Sequence, residues 1–421
     1  MGAFVIRGCE IYLGGAFVPA ELEVRGGVVT ALGGGIVPGE GASVYNFKNC
    51  IVVPGLADVH VHLREPGFSY KETVASGTRA AARSGYSALC AMPNLSPVPE
   101  DAATLAQELD IIRRDAVIDV LPYGAITRGQ RGEQLADMAA MLPYVCGFSD
   151  DGRGVQSREL MRAAMLEAKR LGRPIAAHCE DNSLLRGGYI HEGEYAKAHG
   201  HRGICSESEW GPIARDIELL RETGCAYHVC HISTAESAAL IRSAKREGLD
   251  ITCETAPHYL LLSDSDLQED GRFKMNPPLR SERDRLALIE ALRDGTIDIL
   301  ATDHAPHSAE EKSRGLAGSA FGITGLETAF PLLWTGLVEP GIITRERLVE
   351  LMSTAPARRF GIESGIEPGG PATFAVFETE TTYRIDPERF ASKGRATPFA
   401  GREVRGRCVL NIVRGREVWR A

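Results

Sequence analysis

A chain of 421 residues with 44% hydrophobic and 24% charged side chains has globular composition and exceeds the usual size of one domain, so a large core with a smaller unit attached is expected. A formal net charge of −9 excludes a general nucleic-acid or anionic-membrane binder, because both need a basic surface, and any anionic ligand must be gripped locally. Ten scattered cysteines without a C-x-x-C pair, no basic-then-apolar leader and no run of eighteen apolar residues predict a cytoplasmic protein with reduced thiols, no secretion signal and no membrane span.

In chain order, residues 1–54 alternate short β-like runs with glycine punctuation, as in FVIRGCEIYL, AFVPAELEVRGGVVTALGGG and SVYNFKNCIVVPG. The rhythm changes across residues 55–360. Eight short apolar runs follow: LADVHVHL, SALCAM, VIDVLPYG, YVCGFS, PIAAHC, AYHVCH, DITCET and DILATD. Between them lie amphipathic stretches such as KETVASGTRAAARS, ATLAQELDIIRR, SRELMRAAMLEAKRLG, WGPIARDIELLRET, TAESAALIRSAKREG and ERDRLALIEALRDG, which predict helices. Parallel strands need crossover helices and eight of them close a cylinder, so the pattern predicts an α/β protein with a (β/α)8 TIM-like barrel; a doubly wound sheet is the alternative. Residues 361–421 return to strand-like alternation in GGPATFAVFETETTYRI and GRCVLNIVRGREVWRA. The two chain ends are expected to form one small β-sandwich satellite domain.

Catalytic groups of such a barrel sit where the strands end. The first run ends in His60 and His62, which share a face with Asp58; the fourth in Asp150 and Asp151, the fifth in His178, the sixth in His231 and the eighth in Asp303. Each has a bland reading: satisfied core histidines, an Asx turn at Asp150-Asp151-Gly152, a helix cap at Asp303. All of them together at one structural position point instead to a metal site. Imidazole and carboxylate are the ligand set of zinc and related ions, and six ligands suit two ions bridged by a shared carboxylate and a hydroxide better than one tetrahedral ion. His228 has the wrong parity and reads as structural; Cys179 and Cys230 read as packing residues.

The segments ADVHVHLREPG (57–67), AMPNLSP (91–97), FSDDG (148–152), AHCEDNS (177–183), CHIS (230–233), KMNPPLR (274–280) and ATDHAPH (301–307) resemble the dihydroorotases of the amidohydrolase superfamily, and among them the bacterial class I type. The similarity runs from about Pro54 to the TPF segment at 397–399. It implies a binuclear zinc centre that interconverts N-carbamoyl-L-aspartate and L-dihydroorotate in pyrimidine biosynthesis. His60, His62 and Asp303 would hold the first ion and His178 and His231 the second. Asp151 would bridge where many relatives carry a carboxylated lysine; Asp150 faces the other way. Asp303 would also carry the proton. Arg64, Asn94 and His307 would hold the substrate carboxylate, and Asn276, Phe321 and Gly322 would read the amide edge of the ring. Plainer roles for these residues are an Arg64–Glu65 ion pair and a turn at Asn276. Residues 308–319 read as a mobile flap or a solvated loop. Leu95, the SAFG segment at 319–322 and Thr373 depart from the family pattern without removing a ligand.

Rival readings within the superfamily are allantoinase and dihydropyrimidinase, which generally use the lysine bridge and lack the combined REPG, MPN and KMNPPLR set. A non-catalytic scaffold for aspartate transcarbamoylase is a third, although such chains usually lack ligands. The resemblance further implies a homodimer, with aspartate transcarbamoylase as a candidate partner.

Overall fold

A computed structural model describes residues 2–421; Met1 lies outside the described residues. Each of the eight apolar runs contains a strand, and the strands lie side by side in chain order. They are Leu56–Val61, Tyr86–Ala91, Asp119–Ala125, Gly147–Ser149, Ile175–Ala177, Tyr227–Val229, Ile251–Thr255 and Ile299–Leu300. Neighbours pair in parallel throughout. The eighth strand returns to the first: Val61 pairs with His304, and the His62 N–H donates to the His304 carbonyl at 2.9 Å. Asp58 staples the same seam by accepting the backbone N–H groups of His60 and Thr302. Burial pushes its carboxyl up to about 7 against those hydrogen bonds.

The six predicted helical stretches are helical. Polar caps explain where most begin: the side chains of Thr73, Asp101, Ser157, Thr234 and Ser281 accept a first-turn N–H of helices Val74–Arg83, Ala102–Asp115, Arg158–Leu171, Ala235–Arg246 and Glu282–Arg293. More helix follows the eighth strand, in Ala329–Leu333, Arg345–Val349 and Ala355–Phe360 with wide turns at Trp334–Val338 and Glu350–Thr354. Pro331, Gly336 and Pro356 interrupt the periodicity there, so the sequence does not announce these segments.

Both chain ends form the satellite, a mixed eight-stranded sheet. Cys50–Pro54 joins them by pairing antiparallel with Phe374–Glu378. Alternation assigns the two faces of the sheet. Val52, Phe374 and Val376 enter the satellite's own core with Phe4, Ile11, Leu22 and Leu410, while Ile51, Val53, Ala375 and Phe377 pack into the barrel's core. The barrel is thereby anchored at its flank.

Candidate metal centre and substrate cleft

The structure brings His60, His62, Asp151, His178, His231 and Asp303 together, all buried. Asp151 lies at the middle. Its Oδ1 is 3.3 Å from His60 Nε2 and 3.5 Å from both His178 Nδ1 and His231 Nε2, and its Oδ2 is 3.5 Å from His62 Nε2. Asp303 Oδ1 stands 3.1 Å from His62 Nε2 and 3.6 Å from His60 Nε2. Asp150 points elsewhere, accepting the N–H groups of Ile126 and Thr127 and the Thr127 hydroxyl.

The donor atoms that face the centre fit a divalent cation. His60 Nε2 and Asp151 Oδ1 are buried and make no hydrogen bond. Three groups of ligand atoms lie close enough to hold an ion: His60 with His62 and Asp303, His60 with Asp151 and His231, and His60 with Cys230 and Glu254. Lone buried polar atoms are costly, so converging unpaired donors point to a ligand that satisfies them.

Outer partners set which ring nitrogen faces inward. Glu254 Oε1 lies 2.6 Å from His60 Nδ1, and Asn94 Oδ1 lies 2.8 Å from His62 Nδ1, so both Nε2 lone pairs face the centre. Glu180 Oε2, 3.4 Å from His178 Nε2, turns that ring to present Nδ1. His228 stays outside the centre: its Nε2 is 3.0 Å from Glu254 and its Nδ1 2.8 Å from Thr252. Sequence reasoning passed over Glu254 and Glu180. A carboxylate inside the apolar run DITCET was the available signal, since an unpaired buried glutamate is rare. Cys230 is packed in the barrel interior, and burial pushes its thiol up to about 12.

Electrostatics within the cluster oppose burial. Desolvation alone would raise Asp151 and Asp303, but the surrounding imidazoles hold both carboxyls below the usual range. The backbone is bent to this purpose: Arg64, His231 and Asp303 adopt φ of +64°, +34° and +47°, left-handed values uncommon outside glycine.

Beside the cluster opens a cleft of about 220 Å³, lined by Arg64, Asn94, Asn276, His307, Phe321 and Gly322 together with His62, His178, His231, Asp151 and Asp303. Arg64 makes no ion pair with Glu65, whose carboxylate instead accepts the Val74 N–H. Arg64 Nε donates to the Pro306 carbonyl at 3.2 Å; burial lowers the guanidinium to about 10, which leaves it charged at neutral pH. Burial first, and then Arg64 and Lys71, push His307 down to about 3, so it is neutral. Its Nε2 lies 2.7 Å from the Phe321 carbonyl and therefore carries the hydrogen. Asn276 Nδ2 donates to Glu180 Oε1 at 2.9 Å, which ties the cleft wall to the partner of His178. Gly322 is required by geometry: φ is +127°, and a Cβ there would lie 2.6 Å from the Ala305 carbonyl oxygen. Residues 308–319 contain two short helices, Ala309–Lys312 and Gly315–Gly318, and Lys312 of the first is buried.

A closed parallel barrel whose mouth collects four imidazoles and two carboxylates beside a polar cleft defines a cyclic amidohydrolase. A family profile described as dihydro-orotase-like matches residues 49–237. The chain is 47% identical over 422 residues to a dihydroorotase of Bacillus caldolyticus, covering 100% of this chain and 99% of that one. It is also 47% identical over 423 residues to a dihydroorotase of Geobacillus kaustophilus, with the same coverage. The chain belongs to the dihydroorotase family. Among solved structures, an L-hydantoinase (dihydropyrimidinase) of Arthrobacter aurescens superposes with a TM-score of 0.88 at 25% identity, covering 100% of this chain and 96% of that one. A dihydropyrimidinase of Brevibacillus agri gives 0.86 at 23%, covering 99% and 95%, which shows the shared fold. Among the described residues no helix is long and apolar enough to cross a membrane.

Proposed function

We propose that this enzyme interconverts N-carbamoyl-L-aspartate and L-dihydroorotate, a step of pyrimidine biosynthesis, on a pair of zinc ions. The observation that carries the reading is one cleft lined by five residues of the six-donor cluster together with Arg64, Asn94 and His307. A ring bearing a carboxylate needs such a grip; the uncharged rings of the rival hydrolases do not. Whole-chain identity to dihydroorotases, against 25% to a hydantoinase, favours the same choice.

His60, His62 and Asp303 would hold one ion and His178 and His231 the other, with Asp151 between them. Bound zinc would polarise the amide carbonyl and make water a competent nucleophile near neutral pH. Asn94 commits its oxygen to His62 and so turns its NH2 toward the cleft. With Arg64 it holds the substrate carboxylate and sets the amide carbon beside Asp303. In ring opening, one water adds to that carbon and the C–N bond breaks. Asp303, kept ionised by His62 and its neighbours, accepts the proton of the water and delivers it to the departing nitrogen. Cyclisation is the reverse.

The test is turnover of dihydroorotate, allantoin and dihydrouracil, with metal content measured on the same samples. We expect activity on dihydroorotate, lost with a chelator and restored by Zn2+. Asp303→Asn should abolish turnover while largely keeping metal, and Arg64→Ala should chiefly raise KM. Activity confined to uncharged rings would reject the assignment. The homodimer and the association with aspartate transcarbamoylase belong to the same reading and are read by sedimentation of the chain alone and of the mixture.

A further inference from the structure

Lys312 ends the short helix Ala309–Lys312 and is only 7% exposed. A lysine so deeply buried normally needs a carboxylate partner. This one faces three backbone carbonyls instead: Nζ donates to those of Lys274 at 3.0 Å, Ala320 at 2.8 Å and Gly322 at 2.7 Å. An ammonium has three N–H bonds, and all three are used. The carbonyls belong to two segments distant in sequence, one running into Asn276 and the other flanking Phe321. They are also tied to each other, since the Gly322 N–H donates to the Lys274 carbonyl at 3.1 Å. Lys274 completes the wall, with its own ammonium 4.5 Å from the centre of the Phe321 ring and donating to the Ala317 carbonyl. Lys312 itself does not line the cleft.

We propose that Lys312 is a positioning residue for the reacting amide, holding the Lys274–Asn276 and Ala320–Gly322 backbones from behind at the spacing that reads the ring. In a trans peptide the carbonyl and the next N–H point opposite ways. Drawing the Ala320 oxygen onto a lysine buried behind the wall therefore aims the Phe321 N–H away from that lysine, toward the ligand side. Burial, and then the neighbouring Lys274 ammonium, push the Lys312 ammonium down to about 7, with the Asp270 and Glu311 carboxylates opposing the shift. This inference rests on the reading of Asn276, Phe321 and Gly322 as the part that meets the amide edge.

Lys312→Met keeps the length of the side chain and removes its donors. We expect KM for dihydroorotate to rise about tenfold or more, the size of one lost hydrogen bond to the substrate, with kcat changed less than about threefold. Zinc content should hold, and so should inhibition by succinate, which offers a carboxylate to Arg64 but no amide. Lys312→Gln, polar but too short to reach all three carbonyls, should show the same pattern and serves where methionine lowers the yield of folded protein. An unchanged KM would overturn the inference, and so would a succinate inhibition constant that rises by the same factor as KM, because that would mean the whole mouth had loosened. Turnover by the wild type reports on the function proposed above; the ratio of the two effects in the variants reports on Lys312.

Discussion

Glu254→Gln tests how the outer shell of the site sets metal affinity. The Glu254 carboxylate is fully buried and meets three donors: His60 Nδ1 at 2.6 Å, His228 Nε2 at 3.0 Å and the His231 N–H at 3.4 Å. Glutamine keeps the shape and removes the charge. Its single oxygen can still face His60, provided His228 moves its proton to Nδ1, where the Thr252 hydroxyl 2.8 Å away can accept it. The fold should therefore survive. What changes is the strength of the bond to His60, since hydrogen bonds to a charged group are worth about 1.5–3 kcal/mol and neutral ones about 0.5–1.5. The difference, about 1–2 kcal/mol, weakens the basicity of a ring that belongs to all three groups of candidate ligands. At about 1.4 kcal/mol per tenfold, we expect zinc affinity to fall about fivefold to thirtyfold, toward the lower part of the range found when a histidine ligand loses its outer partner altogether. Titrating the metal-free protein with Zn2+ against a chromophoric chelator reads this directly. An affinity within about twofold of wild type, in a protein of unchanged melting temperature, would refute the claim that Glu254 presents His60 to the metal.

Other consequences follow from burial and close packing. Glu108, on helix Ala102–Asp115, is buried without a partner for Oε2, and burial alone holds its carboxyl well above the usual range. Below the ordinary glutamate pKa both states carry the proton; above it the unfolded chain ionises first, so wild-type stability falls as pH rises toward the folded pKa. Glu108→Met should accordingly stabilise by about 1–3 kcal/mol at pH 8 and by less at pH 4, measured by urea unfolding; an equal gain at both would contradict the burial argument. Gly322→Ala should place a Cβ against Ala305 and displace the cleft wall, raising KM for the ring at least about tenfold with metal content intact; a crystal structure with an unmoved wall and unchanged KM would count against it.

Much of this protein is local and therefore legible in one dimension. Period-two alternation places His60 and His62 on one face of the first strand, and the caps Thr73, Asp101, Ser157, Thr234 and Ser281 mark helix starts within a residue. The donor types at the strand ends are legible for the same reason, because chain direction alone says which end of each strand reaches the mouth. Whatever depends on pairing across the barrel is not. That Asp150 faces away from Asp151 follows from alternation, but only closure of the eighth strand onto the first brings Asp303 within 3.1 Å of His62, and only the convergence of the strand ends sets Asp151 3.3–3.5 Å from four imidazoles. Glu254, Glu180 and Lys312 carry no local pattern; their partners lie far away in sequence, and hydrogen bonds over such separations exist only once the barrel has closed.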